Sequence, residues 1–326
     1  MSTILVTGGA GYIGSHVCKA LAATGHRPVT FDDLARGHRE AVRWGPLEAG
    51  NLLDRERLRQ IMAAHQPRAV IHCAGLAYVG ESVIHPERYY HNNFGGSLVL
   101  LETMAEFQVR EMVFSSSCTV YGDLERVPVD ESHPLRPVNP YGFTKLAVER
   151  MVADFGAAHG LRGVGLRYFN AAGADPDGQI GEHHAPETHL IPLTLAAAGG
   201  LGPALTILGT DYPTADGTCI RDYIHVTDLA AAHVAALERL AGWSGYRAFN
   251  LSTGTGHSVR QVVGAVEQVT GKKVPHRLGD RRPGDAAELV GNPAMAGREL
   301  DWRPRFPALQ DIVSTAWRWM ERGRSR

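Results

Sequence analysis

A glycine-rich turn at the start of the chain constrains its fold more than any other feature. An apolar run, Ile4 to Thr7, leads directly into glycines at 8, 11 and 14, and a helical pattern follows from Tyr12. Gly8 allows the tight turn, Gly11 lets the backbone approach a pyrophosphate, and Gly14 lets the helix sit against the strand. The phosphates would lie against unpaired N–H groups at the helix N-terminus. This pattern predicts a dinucleotide-binding βαβ unit.

A carboxylate follows this turn at the spacing that selects the cofactor. Asp32 ends the next strand candidate, 28–32, roughly 20 residues after the turn. A carboxylate in this position accepts hydrogen bonds from the adenine ribose hydroxyls and repels a 2′-phosphate. The sequence therefore predicts NAD rather than NADP as the cofactor.

Composition excludes several other classes of protein. The 326 residues carry a net charge of −1, which argues against nucleic acid or an anionic membrane as the partner. No apolar run reaches transmembrane length, and the N-terminus leads into a strand without a basic leader. The four cysteines have neither paired nor metal-type spacing. We therefore expect a cytoplasmic protein.

Strands and helices alternate along the first half of the chain. Strand candidates at 4–7, 28–32, 46–49, 69–74, 111–116 and 163–169 are interleaved with helix candidates at 12–24, 54–65, 86–107 and 140–159. Continuously apolar strands are typical of a parallel sheet covered on both faces. The pattern predicts an α/β fold with a doubly wound parallel Rossmann sheet in residues 1–170. We expect a smaller α/β substrate-binding domain in 171–326, with 221–253 returning to the first domain.

Polar side chains at two places in this pattern point to chemistry. Ser115 to Ser117 end an inner strand, where parallel sheets present functional groups, and Tyr141 and Lys145 share one face of a helix. A free tyrosine has a pKa of about 10, so a base working near pH 7 needs a pKa lower by roughly 3 units, or about 4 kcal/mol. A nearby ammonium and the positive nicotinamide ring would supply this in a desolvated site.

Taken in order, these motifs resemble the UDP-glucose (UDP-galactose) 4-epimerase family of the extended short-chain dehydrogenase/reductase superfamily. The resemblance covers essentially the whole chain and rests on segments 8–16, 74–76, 79–82, 89–93, 115–122, 166–170, 211–214 and 221–226. It implies that Tyr141 takes the proton from the sugar 4-hydroxyl while hydride leaves C4 for NAD, and that Ser117 hydrogen-bonds that oxygen. The 4-keto sugar then turns over and takes the hydride back on its other face.

The same resemblance assigns further contacts by position. For NAD it implies Gly8, Gly11, Tyr12, Ile13, Gly14, Asp32, Asn51, Leu52, Ala74, Gly75, Leu76, Asn93, Ser115, Tyr141, Lys145 and Tyr168. For the UDP-sugar it implies Ser117, Tyr141, Asn170, His189, Leu190, Leu205, Ile207, Arg221, Arg282, Asp285 and Leu289, with the two arginines on the diphosphate. It also implies a homodimer formed through helices 86–107 and 140–159.

Three positions depart from the pattern of the family. Asn51 stands where an acid commonly meets the adenine, and since an amide can still pair with adenine we expect little change there. Ala77 stands where many members have a lysine that reaches the cofactor, so we expect NAD to be held less tightly. Leu289 stands where members confined to simple hexoses have a tyrosine, and the smaller side chain opens volume near the sugar. We therefore expect N-acetylated UDP-hexosamines, UDP-GlcNAc and UDP-GalNAc, to be accepted as well.

Several alternatives stay open at this point. The reaction could be the 4-epimerisation of a UDP-pentose or a UDP-uronate. A non-catalytic NAD-sensing regulator is a further alternative, although such proteins typically lose the Tyr–Lys pair that this chain keeps. Related dehydratases carry an Asp-Glu pair where this chain has Cys118 and Thr119, which cannot do acid chemistry at neutral pH.

One group of residues resembles a metal cluster. Glu182, His183, His184 and His189 lie close together in the sequence. Their spacing is not a recognised zinc pattern, and the chemistry that the resemblance implies needs no metal. We therefore expect no metal site.

Overall fold

The computed structural model of the chain describes residues 2–282 and 285–324. Its strands are β1 (Thr3–Thr7), β2 (Arg27–Asp32), β3 (Leu47–Ala49), β4 (Ala69–His72), β5 (Glu111–Ser117), β6 (Arg162–Tyr168), β7 (Asn170–Ala172), β8 (Leu205–Leu208), β9 (Ile220–His225), β10 (Tyr246–Leu251), β11 (Gly256–Ser258), β12 (His276–Gly279) and β13 (Glu288–Leu289). Its helices are α1 (Tyr12–Ala23), α2 (Arg55–His65), α3 (Val79–Ile84), α4 (Pro86–Tyr89), α5 (Gly96–Glu106), α6 (Pro140–His159), α7 (Leu190–Gly199), α8 (Val226–Arg239), α9 (Val259–Thr270), α10 (Ala294–Glu299) and α11 (Leu309–Arg324). Within the described residues, no helix combines the length and the apolar character that a membrane span needs.

Seven parallel strands form a large sheet in the order β10-β6-β5-β4-β1-β2-β3. The six strands predicted in the first half are confirmed to within two residues. β1 shows why both faces are covered: Ile4 and Val6 pack with α1 and α8, whereas Leu5 packs with α2 and α5. The carboxyl ends of the strands meet at one edge of the sheet, where doubly wound folds bind their ligands.

The helix predicted over 86–107 is interrupted. The structure has α4, then a π-helical segment Tyr90–Gly95, and then α5. The π-helical turn carries the buried side chain of Asn93, and single π-turns inside helices frequently occur at functional sites. The sequence pattern did not reveal the interruption, because the backbone stays helical through the π-turn.

The second half of the chain forms a smaller unit around a four-stranded sheet. β9 pairs there with β7, β11 and β13, while β8 and β12 form a separate parallel pair. α7, α9 and α11 pack around a core that includes Leu195, Val262 and Val313. Of segment 221–253, α8 packs on α1 and β10 joins the large sheet, but β9 stays in the smaller one. The return to the large sheet therefore begins at Val226.

Candidate active site

The glycine turn is closely packed. Gly8 has a φ of +71°, and a Cβ on it would lie 2.6 Å from the backbone nitrogen of Ala74. A Cβ on Gly14 would lie 2.1 Å from the Gly8 carbonyl oxygen, so α1 starts directly against the turn. Gly11 is the N-cap of α1 and offers no side chain to its free N–H groups. This geometry fits a pyrophosphate bound at the helix N-terminus.

The predicted adenosine end of the site surrounds Asp32. Its carboxylate accepts hydrogen bonds from the backbone N–H groups of Ala10 (3.0 Å) and Leu34 (2.9 Å). Burial raises the pKa of this carboxyl, and the two backbone hydrogen bonds act in the opposite direction. Asn51 donates to Asp33 at 2.9 Å, and Leu52 is buried against the sheet. Asp32 is thus fixed beside the turn, as ribose recognition requires.

Asn93 holds the loop that follows β4. Its side chain accepts from the Leu76 N–H at 2.8 Å and donates to the Leu76 carbonyl oxygen at 2.9 Å. A Cβ on Gly75 would lie 3.6 Å from Lys145 Nζ, so this loop passes directly beside the lysine. The structure therefore brings Ala74, Gly75, Leu76, Asn93 and Lys145 together.

The catalytic candidates lie at the carboxyl edge of the sheet. α6 begins at Pro140, capped by the Asn139 side chain, which accepts from the Gly142 N–H at 2.8 Å. This cap places Tyr141 in the first turn and Lys145 one turn later, and both side chains are buried. Ser117 ends β5, and its hydroxyl acts on the Tyr141 phenol by lowering its pKa. The serine, the tyrosine and the lysine thus form one buried group.

The electrostatics of this group differ from the sequence prediction. Burial raises the pKa of Tyr141 to about 12, although the nearby Ser117 hydroxyl acts in the opposite direction. Burial also lowers the pKa of Lys145 to about 8. The ammonium donates to the Ser115 carbonyl oxygen at 2.7 Å and lies 5.7 Å from the Tyr141 ring centroid. In this arrangement the phenol is a weak acid, and the lysine is not hydrogen-bonded to it.

A buried ion pair behind the catalytic group was missed by the sequence reasoning. Glu149 contacts Arg167 at 2.9 and 2.6 Å and accepts from the Ser116 hydroxyl at 2.5 Å. It follows Lys145 by four residues, and this helical spacing was the available signal. The network ties α6 to β5 and β6 directly beneath the candidate site.

Two further cofactor candidates flank Lys145. The Ser115 hydroxyl lies 2.9 Å from His233 Nε2, and its carbonyl oxygen accepts from Lys145. Tyr168 is opposite Ser117 in the β5–β6 register, and burial raises the pKa of its phenol well above the usual value. Both residues lie at the end of the sheet that carries Tyr141.

The candidate phosphate ligands lie on the smaller sheet. Arg221 forms an ion pair with Asp285 at 3.1 Å and is directly opposite Leu289 in the β9–β13 register. Asn170 starts β7 and donates to the Asp222 carbonyl oxygen at 3.1 Å. Arg282 is exposed and adjoins residues 283 and 284, which lie outside the described ranges. The structure therefore unites Arg221, Asp285 and Leu289.

The remaining substrate candidates have mixed positions. The side chains of Leu205 and Ile207 lie in the core of the smaller unit, 5% and 1% exposed, so only their main chain is available to a ligand. Leu190 is the first residue of α7, and His189 is its N-cap. These two residues end the polar loop 182–189. The loop approaches the glycine turn where the His184 ring lies 6.2 Å from the Tyr12 ring.

That polar loop gathers two carboxylates and two imidazoles, of which the sequence reasoning had recognised three. Glu182, His184, Glu187 and His189 each place one potential ligand atom within 4.8 Å of the others, and His183 is not part of this group. Burial alone would lower the pKa of both histidines. Close contact with the carboxylates of Glu182 and Glu187 outweighs the effect of burial and raises the pKa to about 9 for His184 and about 10 for His189.

Comparison with known proteins identifies the family of this chain. Residues 4–252 match the NAD dependent epimerase/dehydratase family. The chain belongs to that family. It is 50% identical to the UDP-glucose 4-epimerase of Rhizobium leguminosarum bv. trifolii over 317 residues, which cover 97% of both chains. The resemblance inferred from the motifs is confirmed.

Solved structures of the family have the same fold. The chain is similar to UDP-glucose 4-epimerase from Brucella ovis in complex with NAD, with 49% identity, a TM-score of 0.95 and coverage of 98% of both chains. It is also similar to the UDP-Glc/GlcNAc 4-epimerase from Campylobacter jejuni, with 35% identity and a TM-score of 0.86, covering 99% of this chain and 100% of that one. The predicted doubly wound Rossmann fold is thereby confirmed.

Proposed function

We propose that this protein is an isomerase that interconverts UDP-glucose and UDP-galactose with bound NAD. The observation that carries the proposal is the buried Ser117–Tyr141–Lys145 group at the carboxyl edge of a sheet that also presents the glycine turn and Asp32. The full-length similarity to UDP-glucose 4-epimerases supports the same activity.

The chain's own residues divide the work of the reaction. Tyr141 takes the proton from the sugar 4-hydroxyl and returns it, while Ser117 hydrogen-bonds the same oxygen. When bound, NAD supplies a reversible hydride acceptor for C4. Because Lys145 is buried, its positive charge acts on neighbouring groups with little screening. A shift of its ammonium from the Ser115 carbonyl oxygen towards the cofactor ribose would favour the phenolate form of Tyr141.

Residues next to Ser117 argue against a dehydratase. Burial raises the pKa of the Cys118 thiol to about 12, and the Thr119 hydroxyl donates to Ser117 at 3.0 Å. Neither side chain can deliver a proton to a leaving hydroxyl at neutral pH. Tyr141 and Lys145 are retained, so a purely regulatory NAD-binding protein is not favoured.

The UDP-sugar would bind between the two units of the chain. We propose residues 171–326, apart from the segment that returns to the large sheet, as the UDP-sugar-binding domain. Arg221 and Arg282 would hold the diphosphate, since guanidinium forks match phosphate oxygens. Asp285 pairs with Arg221 at 3.1 Å and would orient its guanidinium.

The activity is tested with the purified protein and UDP-galactose, with and without added NAD, by separating the two epimers. We expect conversion by the wild type, and a fall in kcat of about 10²–10⁴-fold for Tyr141→Phe. Tyr90→Phe, at an exposed tyrosine, is the matched control and should keep wild-type activity. A requirement for added NAD would implicate Ala77 in weak retention. Absence of conversion with NAD present would refute the proposal and lead to the UDP-pentose and UDP-uronate substrates.

We further propose that UDP-GlcNAc and UDP-GalNAc are substrates. Leu289 packs beside a buried cluster that includes Cys118 and Phe169, next to Ser117, and this supports a position on the sugar side of the site. Leu289→Tyr should lower kcat/KM for UDP-GlcNAc by at least about tenfold relative to UDP-glucose, because the ring refills the pocket. Leu278→Tyr, at an exposed leucine, is the control. Wild-type turnover of UDP-glucose alone would contradict this substrate range.

A homodimer is proposed through the face that carries the π-helical segment and α6. Tyr90, Phe94 and Phe143 are 42%, 36% and 49% exposed and form a contiguous apolar surface, with the Tyr90 and Phe143 rings 6.1 Å apart. Light scattering should give twice the monomer mass, and Phe94→Glu combined with Phe143→Glu should give the monomer. A monomeric wild type would refute this assembly.

A cytoplasmic location is proposed from the cysteines. All four are free thiols, and three of them are buried. Free buried thiols are typical of a reducing compartment. Fractionation of the source cells, followed by immunodetection, tests the proposal, and recovery of the protein in a secreted fraction would contradict it.

A further inference from the structure

The polar loop 182–189 contains a cluster that has no part in the proton and hydride transfers of the proposed reaction, although the family resemblance implies a UDP-sugar contact for one of its members, His189. Glu182 Oε1 lies 3.1 Å from His184 Nδ1 and 2.8 Å from His189 Nδ1. Glu187 lies 3.6 Å from His184 Nδ1 and 3.0 Å from His189 Nδ1 through its two oxygens. Each carboxylate thus faces both imidazoles, and the four potential ligand atoms converge on one small volume.

The carboxylate–imidazole separations are close to the edge length of a coordination tetrahedron. Zinc binds imidazole nitrogen at about 2.0–2.1 Å and carboxylate oxygen at about 2.0–2.2 Å, which places neighbouring ligand atoms roughly 3.3 Å apart. The four separations in the cluster, between 2.8 and 3.6 Å, lie on both sides of that value. Two imidazoles and two carboxylates also form a donor set that suits a divalent transition metal.

A second, independent observation concerns hydrogen bonding. Glu182 Oε1 and His184 Nδ1 are buried, and among the described residues neither has a hydrogen-bond partner of acceptable geometry. The Glu182 side chain is only 7% exposed. A buried carboxylate oxygen without a hydrogen bond is costly, and it is rare in native proteins. His189 Nδ1 forms a hydrogen bond with Glu187 Oε1 at 3.0 Å, but the contacts of Glu182 Oε1 and His184 Nδ1 do not meet hydrogen-bond geometry.

The loop is held in place from outside the cluster. Trp319 Nε1 donates to the Glu182 carbonyl oxygen at 3.0 Å, and the Tyr78 hydroxyl donates to the Pro186 carbonyl oxygen at 3.1 Å. Glu187 accepts from the N–H groups of Thr188 and His189 at 2.7 and 2.8 Å. A ligand set fixed in this way loses little conformational freedom when it binds an ion.

We propose that Glu182, His184, Glu187 and His189 bind one divalent transition-metal cation, with Zn²⁺ as the preferred ion. The two carboxylates balance the charge of the ion, and the imidazoles bind as neutral donors. Because His189 is the N-cap of α7, the ion fixes the start of this helix relative to α11 and the glycine turn. Its role is to position the loop, and it takes no part in hydride or proton transfer.

Metal content and binding test the site. The full-length protein, stripped with a chelator and then dialysed, is titrated with ZnCl₂ by calorimetry, and its zinc is measured by elemental analysis. We expect one ion per chain in the wild type. Glu182→Gln and His184→Gln should bind at least about 10–100-fold more weakly, since even the loss of an outer-shell partner costs that much. His183→Gln, next to the cluster but outside it, should bind like the wild type.

Co²⁺ substitution guards against variants that merely misfold. Co²⁺ added to the stripped wild type should give the visible d–d absorption of a four-coordinate site, and His183→Gln should give the same spectrum. Zinc binding equal in all four proteins, no stoichiometric zinc in the wild type, or a purely octahedral Co²⁺ spectrum would overturn the proposal. The group would then be an ion quartet of two imidazolium and two carboxylate groups. UDP-galactose conversion is assayed separately, so failure of the metal site and failure of the epimerase proposal are distinguishable.

Discussion

The buried ammonium of Lys145 leads to a prediction that links catalysis to stability. The side chain is 5% exposed, and burial lowers its pKa from 10.5 to about 8. One pKa unit corresponds to about 1.36 kcal/mol, so at pH 7 the folded protein disfavours the charged lysine by roughly 3 kcal/mol. Because the folded pKa is the lower one, the unfolded chain binds the proton more tightly. The penalty is therefore full below about pH 8 and fades as the pH rises towards 10.5.

Lys145→Met keeps the length of the side chain and removes the charge. It also removes the donor to the Ser115 carbonyl oxygen, a loss of about 1–1.5 kcal/mol. We therefore expect the cofactor-free variant to be more stable than the cofactor-free wild type by about 2 kcal/mol at pH 7. At about pH 9.5 the remaining penalty is roughly 1.4 kcal/mol, so the two proteins should then be nearly equal in stability. The variant should be inactive as an epimerase.

The assay is urea unfolding of both cofactor-free proteins at the two pH values. It is followed by circular dichroism and by fluorescence, so that coincident curves justify a free energy of unfolding. Lys273→Met is the matched control, because the Lys273 side chain is 90% exposed and pairs with Glu267 on the surface. It should lose about 1 kcal/mol or less at both pH values. A Lys145→Met variant that is less stable than the wild type at pH 7, or a difference that does not change with pH, would refute the reasoning.

Three further outcomes are expected. Glu149→Gln should lower the free energy of unfolding by about 3–5 kcal/mol, because it leaves Arg167 buried without its carboxylate. The double replacement of Glu149 and Arg167 by Met should lower it far less. Equal losses for the single and the double variant in urea titrations would contradict this. Gly14→Ala should abolish NAD binding in calorimetry because its Cβ would meet the Gly8 carbonyl oxygen, whereas Gly264→Ala, in open space on α9, should stabilise the protein by up to about 1 kcal/mol. Asp32→Ser should raise the affinity for NADP relative to NAD by at least about tenfold, because the carboxylate that repels the 2′-phosphate is gone. An unchanged ratio of the two dissociation constants would show that another group selects the cofactor.

The sequence was most informative where local chemistry and spacing coincide. The glycine turn, Asp32 and the first turn of α6 depend on short-range geometry, and the structure has each of them where the pattern predicted. The π-helical segment was not predictable, because it depends on Asn93 reaching across to the Leu76 backbone. Such a contact between distant segments leaves no periodic signal in the chain.

Electrostatics and loop geometry were less predictable for a related reason. The spacing of Tyr141 and Lys145 showed a shared helical face, but the depth of burial decides the pKa of each group and the partner of the ammonium. The four-residue cluster in loop 182–189 likewise depends on how Glu187 folds back onto His184. Both features arise from tertiary packing, which spacing alone does not describe.

The position of β10 in the large sheet has a consequence for biosynthesis. Leu166 of β6 pairs with Phe249 of β10, so the outer neighbour of β6 leaves the ribosome only after β7, α7, β8 and β9 of the smaller unit have been made. Until then β6 is an open edge, whose free N–H and C=O groups are a template for pairing with another chain. Early domains generally fold first during translation, yet here residues 1–170 cannot complete their sheet by themselves. A ribosome stalled before β10 would therefore carry an aggregation-prone nascent chain, and the two halves of the gene could not be expressed as separate stable proteins.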